Sequence, residues 1–464
     1  MGKTKNQKKD KAKSKNWFRR MGEMFAKGDI WTKLSFLISG LGNIVRGQVL
    51  KGLMFLSMEL GFIFYMILSG INFISQIGEL GSVEQKTVFN EFTLAMDVIP
   101  GENSMLILLY GLISICLIIA YVFVWQAGVK AAYEAQQLKE SGKHLPTAME
   151  DIKDHFDKKL HRTMMFLPTI GIMVFTILPL IFMVLIAFTN FDTDHQPPGH
   201  LFDWVGLTNF KTLFTAGSTL GKTFWAILTW TLIWAIFATF LNYIGGMLLA
   251  MIINRNGTRC KKLWRTIFIM SIAIPQFVSL LIMKTMLQQN GIINATLLSH
   301  GIISEALPFF TDVTWARVTV IIVNLWVGVP HTMLITTGIL QNIPSDLYES
   351  AKVDGANSVV MFFKITLPYM LFVTGPYLIT QFIGNINNFN VIYLLTGGAP
   401  TTFEYYQNAG KTDLLVTWLY RLTVDRFDYC YASVIGIAVF VVCATFSLLT
   451  YHRTGAYNNE EGFQ

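Results

Sequence analysis

Between Gln381 and Asn390 an otherwise apolar run carries five amide side chains, Gln381, Asn385, Asn387, Asn388 and Asn390. Spacings of four and three put Gln381, Asn385 and Asn388 on one helix face. A neutral amide both donates and accepts hydrogen bonds without placing a charge in a low-dielectric interior. That chemistry suits a polyhydroxylated ligand, whose hydroxyls need both partners and whose C–H faces stack on aromatic rings. The alternative use of such residues is hydrogen bonding between helices. A second group is Trp326-Val327-Gly328-Val329-Pro330-His331. His331 supplies a ring with a hydrogen-bonding edge, for a ligand or for structure, and Gly328 with Pro330 predicts a kinked or locally opened helix. A third group lies in the polar stretch Gln341–Pro368. Pro344 and Ser345 open a helix there, with Ser345 as the expected N-cap. Asp346 and Glu349 follow near the positive end of its dipole. Gly355 breaks the helix, and Val359–Ile365 resumes one that Pro368 should end or kink. The small residues Ser350, Ala351, Gly355 and Ala356 would let another surface approach closely. The loop reads either as a docking element or as a connector helix at the lipid headgroups.

The elements that must carry these groups follow from composition. Of 464 residues, 53% are hydrophobic and 14% charged, against about 25% charged in soluble domains. Mean hydropathy is +0.47 and the pI is near 9.0. This argues against a soluble enzyme, a disordered chain or a nucleic-acid-binding domain. Cys116, Cys260, Cys430 and Cys443 show neither CxxC nor Cys/His spacing, so neither a disulfide scaffold nor a metal site is expected. The expected fold is an all-α polytopic membrane protein. A spanning helix needs about 20 mostly apolar residues. Eight candidates satisfy this: Val49–Ile74, Ser104–Val129, Met165–Thr189, Thr223–Ile253, Thr266–Leu287, Val318–Leu340, Leu371–Leu395 and Tyr429–Tyr451. Ser35–Val45 is too short to cross and reads as interfacial.

Sidedness comes from the basic residues. Met1–Arg20 holds nine Lys and Arg and lacks the apolar core of a signal peptide. It reads as a solvated tail able to touch anionic lipid headgroups. With the N-terminus in the cytoplasm, about 28 of the Lys and Arg fall inside and about 6 in the outer loops. That bias sets both termini on the cytoplasmic side. Within or beside spans lie Glu59, Lys284 and Arg317. Lys284 is close enough to an outer end to snorkel, and Glu59 is expected to pair within the bundle. No series of Asp, Glu and His crosses the spans as a proton relay would. Neither GxxxxGK[ST] nor HExxH occurs, so a phosphate cradle, a catalytic centre and bound metal are not expected. The chain divides into a basic tail and interfacial segment (1–48), two spans with a cytoplasmic loop (49–164), a six-span core containing the loop 341–370 (165–453), and a C-terminal tail (454–464).

The loop also carries a motif. Glu349-Ser350-Ala351, three residues, Gly355, nine residues, then Ile365-x-Leu367-Pro368 resembles the EAA motif of membrane subunits in binding-protein-dependent ABC importers. Ser350 stands where that motif has its first Ala. Phe382-x-x-Asn385-x-Asn387-Asn388-Phe389 and Thr412-Asp413-Leu414-Leu415-Val416 are similar to maltose/maltodextrin permease subunits of the MalF type. The outer segment Val205-Gly206-Leu207-x-Asn209-Phe210 resembles the segment that precedes the transport core in sugar permeases. The resemblance implies a type I importer core in a bacterial plasma membrane. Its partners would be a second permease subunit, two ATPase subunits that use the ATP, and an extracytoplasmic sugar-binding protein. This chain would hold no cofactor and would be a transporter subunit, not an enzyme. Glu349, Ser350, Ala351, Asp354 and Gly355 would couple to an ATPase subunit. Family sugar contacts would fall on Val327, Gly328, His331, Gly384, Asn385, Asn388 and Asn390, and Gln381 joins them by helix face. Gly384 replaces an aromatic residue and His331 a Tyr, so maltodextrin and other oligosaccharides, galacto-oligosaccharides among them, are all open as substrates. The best-known family member has a large external domain between the third and fourth spans, where this chain has only 190–222. A different class, a self-sufficient secondary transporter, would leave the EAA match accidental, and no repeated halves support it.

Overall fold

The computed structural model describes residues 17–92, 94–255 and 257–451. The strongly basic residues 3–15 and the C-terminal tail 454–464 lie outside the described residues. Among the described residues seven helices are long and apolar enough to cross a membrane, or eight if one bent pair is counted as a single span. The described chain forms two compact units, residues 17–185 with 194–204, and residues 186–193 with 205–451.

In the first unit, spans one to three run Val49–Gln76, Ser104–Glu140 and Leu160–Ile186, the last ending at the unit boundary. The second is 37 residues, roughly 55 Å at 1.5 Å per residue, and so outreaches a bilayer core. Its N-terminus is capped by Asn103, which accepts from Leu106 N–H at 3.1 Å. The segment before span one folds as three short helices, Trp17–Lys27, Ile30–Leu34 and Leu41–Val45. Arg46 ties the second and third of these to span two: its guanidinium donates to Asp29 at 2.6 Å, to Thr32 Oγ1 at 2.8 Å, to the Gly42 carbonyl at 2.8 Å and to the Ala132 carbonyl at 3.0 Å. Glu59 finds its expected partners within this unit. Its carboxylate accepts from Ser39 N–H at 2.6 Å and from Tyr121 Oη at 2.9 Å. A buried carboxylate supplied with donors in this way avoids the cost of an unpaired intramembrane charge. Between spans one and two, an antiparallel hairpin pairs Lys86–Asn90 with Ala95–Ile99, which hydropathy did not predict.

In the second unit, span four (Thr219–Asn254) is the organising helix, packing along span six (Val313–Gln341) and span seven (Ser358–Leu395). Gly245 and Gly246 lie against Val329, Thr332 and Met333 of span six, the close approach that small residues permit between membrane helices. Tyr243 and Thr374 share a hydrogen bond at 2.8 Å.

Three expectations are corrected here. The fifth crossing is not one helix over 266–287. It is Lys261–Ala273 and Gln276–Ser299, bent by 88° at the break before Pro275. Span six, where Gly328 and Pro330 predicted a kinked or locally opened helix, does not open: Val313–Gln341 is one continuous helix with Pro330 buried inside it. Pro368 does not end the helix after the loop. A wide π-helical turn, Phe362–Thr366, precedes it, and the helix continues over Leu367–Ile386. The wider turn accommodates a residue with no N–H to donate.

The segment joining spans seven and eight (Tyr429–Tyr451) is knitted by buried polar contacts. Asp413, almost wholly buried, accepts from Gly410 N–H at 2.7 Å and Thr417 Oγ1 at 3.0 Å, and Arg421 lies 3.2 Å away. Burial pushes its carboxyl up, against the pull of Arg421. Arg317 donates to the Lys411 carbonyl and stacks over Trp230, 4.5 Å from the ring centroid.

Candidate functional site

The amide face of span seven opens on a cavity of about 340 Å³, within the size range of small-molecule sites. Span seven supplies Gln381, Asn385 and Asn388, span six supplies Val327, Gly328 and His331, and span four supplies Asn242. The break in the fifth crossing supplies Ser271, Pro275 and Gln276. The lining holds no Asp, Glu, Lys or Arg.

Span seven is interrupted within its amide face. Leu367–Ile386 ends, Asn388 caps a new helix by accepting from Val391 N–H at 3.3 Å, and Phe389–Leu395 follows. Asn385 and Asn388 are linked, Nδ2 of Asn388 donating to Asn385 Oδ1 at 3.5 Å. Asn385 also donates to Thr239 Oγ1 of span four at 3.0 Å, and its carbonyl accepts from Trp234 Nε1 at 3.1 Å. Asn385 therefore ties two helices together, one of the two uses foreseen for these residues, and also lines the cavity. Gln381 and His331 line the cavity and have no side-chain hydrogen-bond partner among the described residues.

Two buried amide atoms are orphaned, Asn242 Oδ1 and Asn324 Nδ2, an acceptor and a donor on residues of one cavity wall. Each such group carries a desolvation cost of about 1–3 kcal/mol. Asn242 also explains Gly328: a Cβ there would collide with the Asn242 amide. At the crossing break, the N–H groups of Gln276 and Phe277 start the half-helix without a side-chain cap.

Gly384 and Asn390 do not line this cavity. Both are exposed, and a Cβ on Gly384 would meet nothing within 4 Å. Asn387 turns away, donating to the Ile383 carbonyl at 3.1 Å. Sequence reasoning missed Asn242, Asn324, Ser271 and Gln276. Asn324 was within reach, since 324, 327, 328 and 331 repeat at helical spacing. Asn242, alone in an apolar run, gave no such signal.

At the other end of span seven, the loop forms a helix, Ser345–Val353. Ser345 is its first residue and not its cap; Pro344 occupies the cap position without a side-chain hydrogen bond. Gly355 has φ +80°, a left-handed conformation that favours glycine. Asn357 then caps the next helix, accepting from Val360 N–H at 2.9 Å. Glu349, Ser350, Asp354 and Gly355 are exposed and Ala351 half-buried.

Comparison with known proteins now decides the class. The model of the family described as binding-protein-dependent transport system inner membrane component matches residues 242–453. The galactooligosaccharides transport system permease protein GanP of Bacillus subtilis is 33% identical over 427 residues, covering 91% of this chain and 97% of GanP. The chain belongs to this family of transport-system membrane components. It is also similar to the maltodextrin transport system permease protein MalC of Streptococcus pneumoniae, 32% identical over 437 residues, with 92% and 96% of the two chains covered. The maltose/maltodextrin permease protein MalF of Escherichia coli K12 is 35% identical over 269 residues, 57% of this chain and 52% of MalF. Among solved structures, a bacterial ABC transporter that imports the acidic polysaccharide alginate matches with TM-score 0.50 and 25% identity, over 65% of this chain and 97% of that one. A family member of this kind is a multi-pass membrane transport component, not an enzyme.

Proposed function

We propose that this protein is the permease subunit of an ATP-driven oligosaccharide importer, carrying maltodextrin or a related neutral oligosaccharide through the amide-lined cavity. The observation that carries the reading is the cavity itself: amides, hydroxyls, an imidazole and an indole converge on it, and the lining holds no formally charged side chain. Sugar hydroxyls satisfy such a wall, whereas an ion or an ionised substrate would lose its hydration there without a counter-charge. Val327, Gly328, His331, Gln381, Asn385 and Asn388, with Asn242 and Asn324, bind the sugar. Gly384 and Asn390 would contact it only from outside this cavity. Relatives named for maltodextrin and for galactooligosaccharides match almost equally well, so both sugars belong to the substrate class.

Glu349, Ser350, Ala351, Asp354 and Gly355 form the surface seated on a cytosolic ATPase subunit. In this reading the chain pairs with a second permease subunit, two ATPase subunits supply the power stroke, and an extracytoplasmic binding protein delivers sugar. The basic residues of the 254–265 segment and of the stretch before span one support a cytoplasmic location for both termini. The similarity to binding-protein-dependent systems favours this reading over a self-sufficient secondary transporter.

The test is purification in mild detergent with identification of co-purifying proteins, then reconstitution into liposomes with ATP inside and the binding protein outside. Uptake of maltotetraose or a galactotetraose that requires ATP and all partners is expected. Recovery of this chain alone, with sugar uptake driven by an ion gradient, would overturn the proposal.

A further inference from the structure

A second cavity, of about 710 Å³, lies in the same unit at the end of span seven away from the Ser345–Val353 helix. Its wall comes from the outer half of the broken fifth crossing, the end of span seven, and the knitted segment before span eight. Lys284, expected from sequence to be an interfacial anchor, is part of this wall.

The wall is chemically mixed. The side chains of Lys284 and Arg426 have no ion-pair or hydrogen-bond partner among the described residues. Arg421 is already engaged by Asp413 at 3.2 Å. Asp425 contributes a carboxylate with no ion-pair partner among the described residues. Gln407 and Asn408 add two amides, held by consecutive left-handed backbone conformations of φ 53° and 56°. Such conformations are costly for non-glycine residues and persist where the surroundings enforce them. One exposed ring, Tyr393, completes the wall, and behind it lies the buried Trp418, whose Nε1 has no partner among the described residues.

We infer that this cavity is a second carbohydrate site, which holds part of an oligosaccharide before it reaches the amide cavity. The choice of ligand rests on the reading of the chain as an oligosaccharide permease; the choice of cavity rests on its own chemistry. A simple anion would be served by Lys284 and Arg426 but repelled by Asp425. An apolar ligand would leave all three desolvated without partners. A sugar uses the whole set: its hydroxyls accept from the cations and amides, donate to Asp425 and to the amide oxygens, and a C–H face lies on the Tyr393 ring. The charged wall here and the uncharged wall of the membrane cavity fit a site that takes sugar from water and a site that holds it in the bilayer.

The experiment is direct binding of maltotetraose and a galactotetraose to the assembled transporter in nanodiscs, without the binding protein, by titration calorimetry and saturation-transfer NMR. Two sites per chain of this protein are expected. Asn388→Ala should remove one, and Asp425→Asn with Arg426→Gln the other. In liposomes, the outer variant should raise KM for uptake about tenfold with kcat held, because it weakens capture and leaves the membrane site intact. Lys284→Gln should act in the same direction, and its lack of side-chain partners makes a folding defect an inadequate explanation. A single sugar site in the wild type would overturn the inference. So would full binding in the outer variants, or occupancy by citrate or sulfate with no competition from sugar. Failure of the importer reading is distinguished separately: a chain that lacks ATP-driven uptake but still shows the Asp425-dependent sugar site retains the second site and loses only the transport assignment.

Discussion

The amide cavity and the Ser345–Val353 helix sit at different places on the same core, and their side chains are held in opposite ways. Around the cavity, Asn385 is tied to Thr239, Trp234 and Asn388, and Asn388 also caps a helix. In the exposed helix, the side-chain hydrogen bond to the rest of the described residues is a single one of 2.8 Å, between Tyr348 and Thr366, while Val353 is 88% exposed. A small ligand is recognised by groups already fixed in place, because ordering them at binding would cost entropy. A protein partner brings its own ordering surface, so a docking helix can stay bare. The difference supports two separate roles, sugar binding and partner coupling.

Breaking the docking side should have the largest effect. Glu349→Lys is expected to cut ATP-driven uptake by on the order of 100-fold or more, the scale of losing one partner of a buried interface charge pair. Sugar binding to the assembled or free permease should be unchanged in calorimetry; a parallel loss of sugar binding would merge the two regions into one.

The Asn242–Gly328 contact offers a sharper test. Gly328→Ala drives a methyl group into the Asn242 amide, and overpacking of this sort costs about 1–3 kcal/mol, roughly five- to 100-fold in sugar affinity. Asn242→Ala in the same chain should restore most of it. Failure of that rescue would mean that Gly328 serves the backbone and not the cavity.

Removing one free polar edge should do less. His331→Ala and Gln381→Ala are each expected to weaken sugar binding about five-fold, near the ~1 kcal/mol of a single net hydrogen bond, with thermal stability held. Smallest of all, Thr239→Val removes the acceptor for Asn385 on span four. It should lower stability by about 0.6 kcal/mol, the average for a hydrogen bond between membrane helices, read as a melting shift in detergent. A large loss of sugar binding instead would make Thr239 part of the recognition set.

What could be read in advance divides along physical lines. Span positions, the amide face and the spacing from Glu349 to Pro368 were legible because each depends on local periodicity. The three prolines were not. Pro275, Pro330 and Pro368 look alike in sequence, yet one breaks a crossing, one sits buried in a continuous helix and one follows a π-helical turn. Packing decided among them: Pro330 is buried in a helix that lies closely along span four, whereas the chain at Ile274 is exposed and free to bend. The hairpin at 86–99 was hidden for another reason. Its strands are five residues each and exposed, so no buried face imprinted an alternation. The sugar-contact positions implied by resemblance separated in the same way, those on spans six and seven facing span four converging and Gly384 and Asn390 facing elsewhere.

The break before Pro275 has a consequence for how such a protein can change. Gln276 and Phe277 begin a half-helix with main-chain N–H groups that no side chain caps, beside a wall otherwise made of side chains. Main-chain donors are indifferent to the identity of the residue that bears them, proline apart. In the proposed reading a lineage can therefore exchange amide for hydroxyl or ring for glycine around the cavity, and so drift from one oligosaccharide to another, while the main-chain donors at the break stay the same. Selectivity would then evolve on the side chains and competence on the backbone.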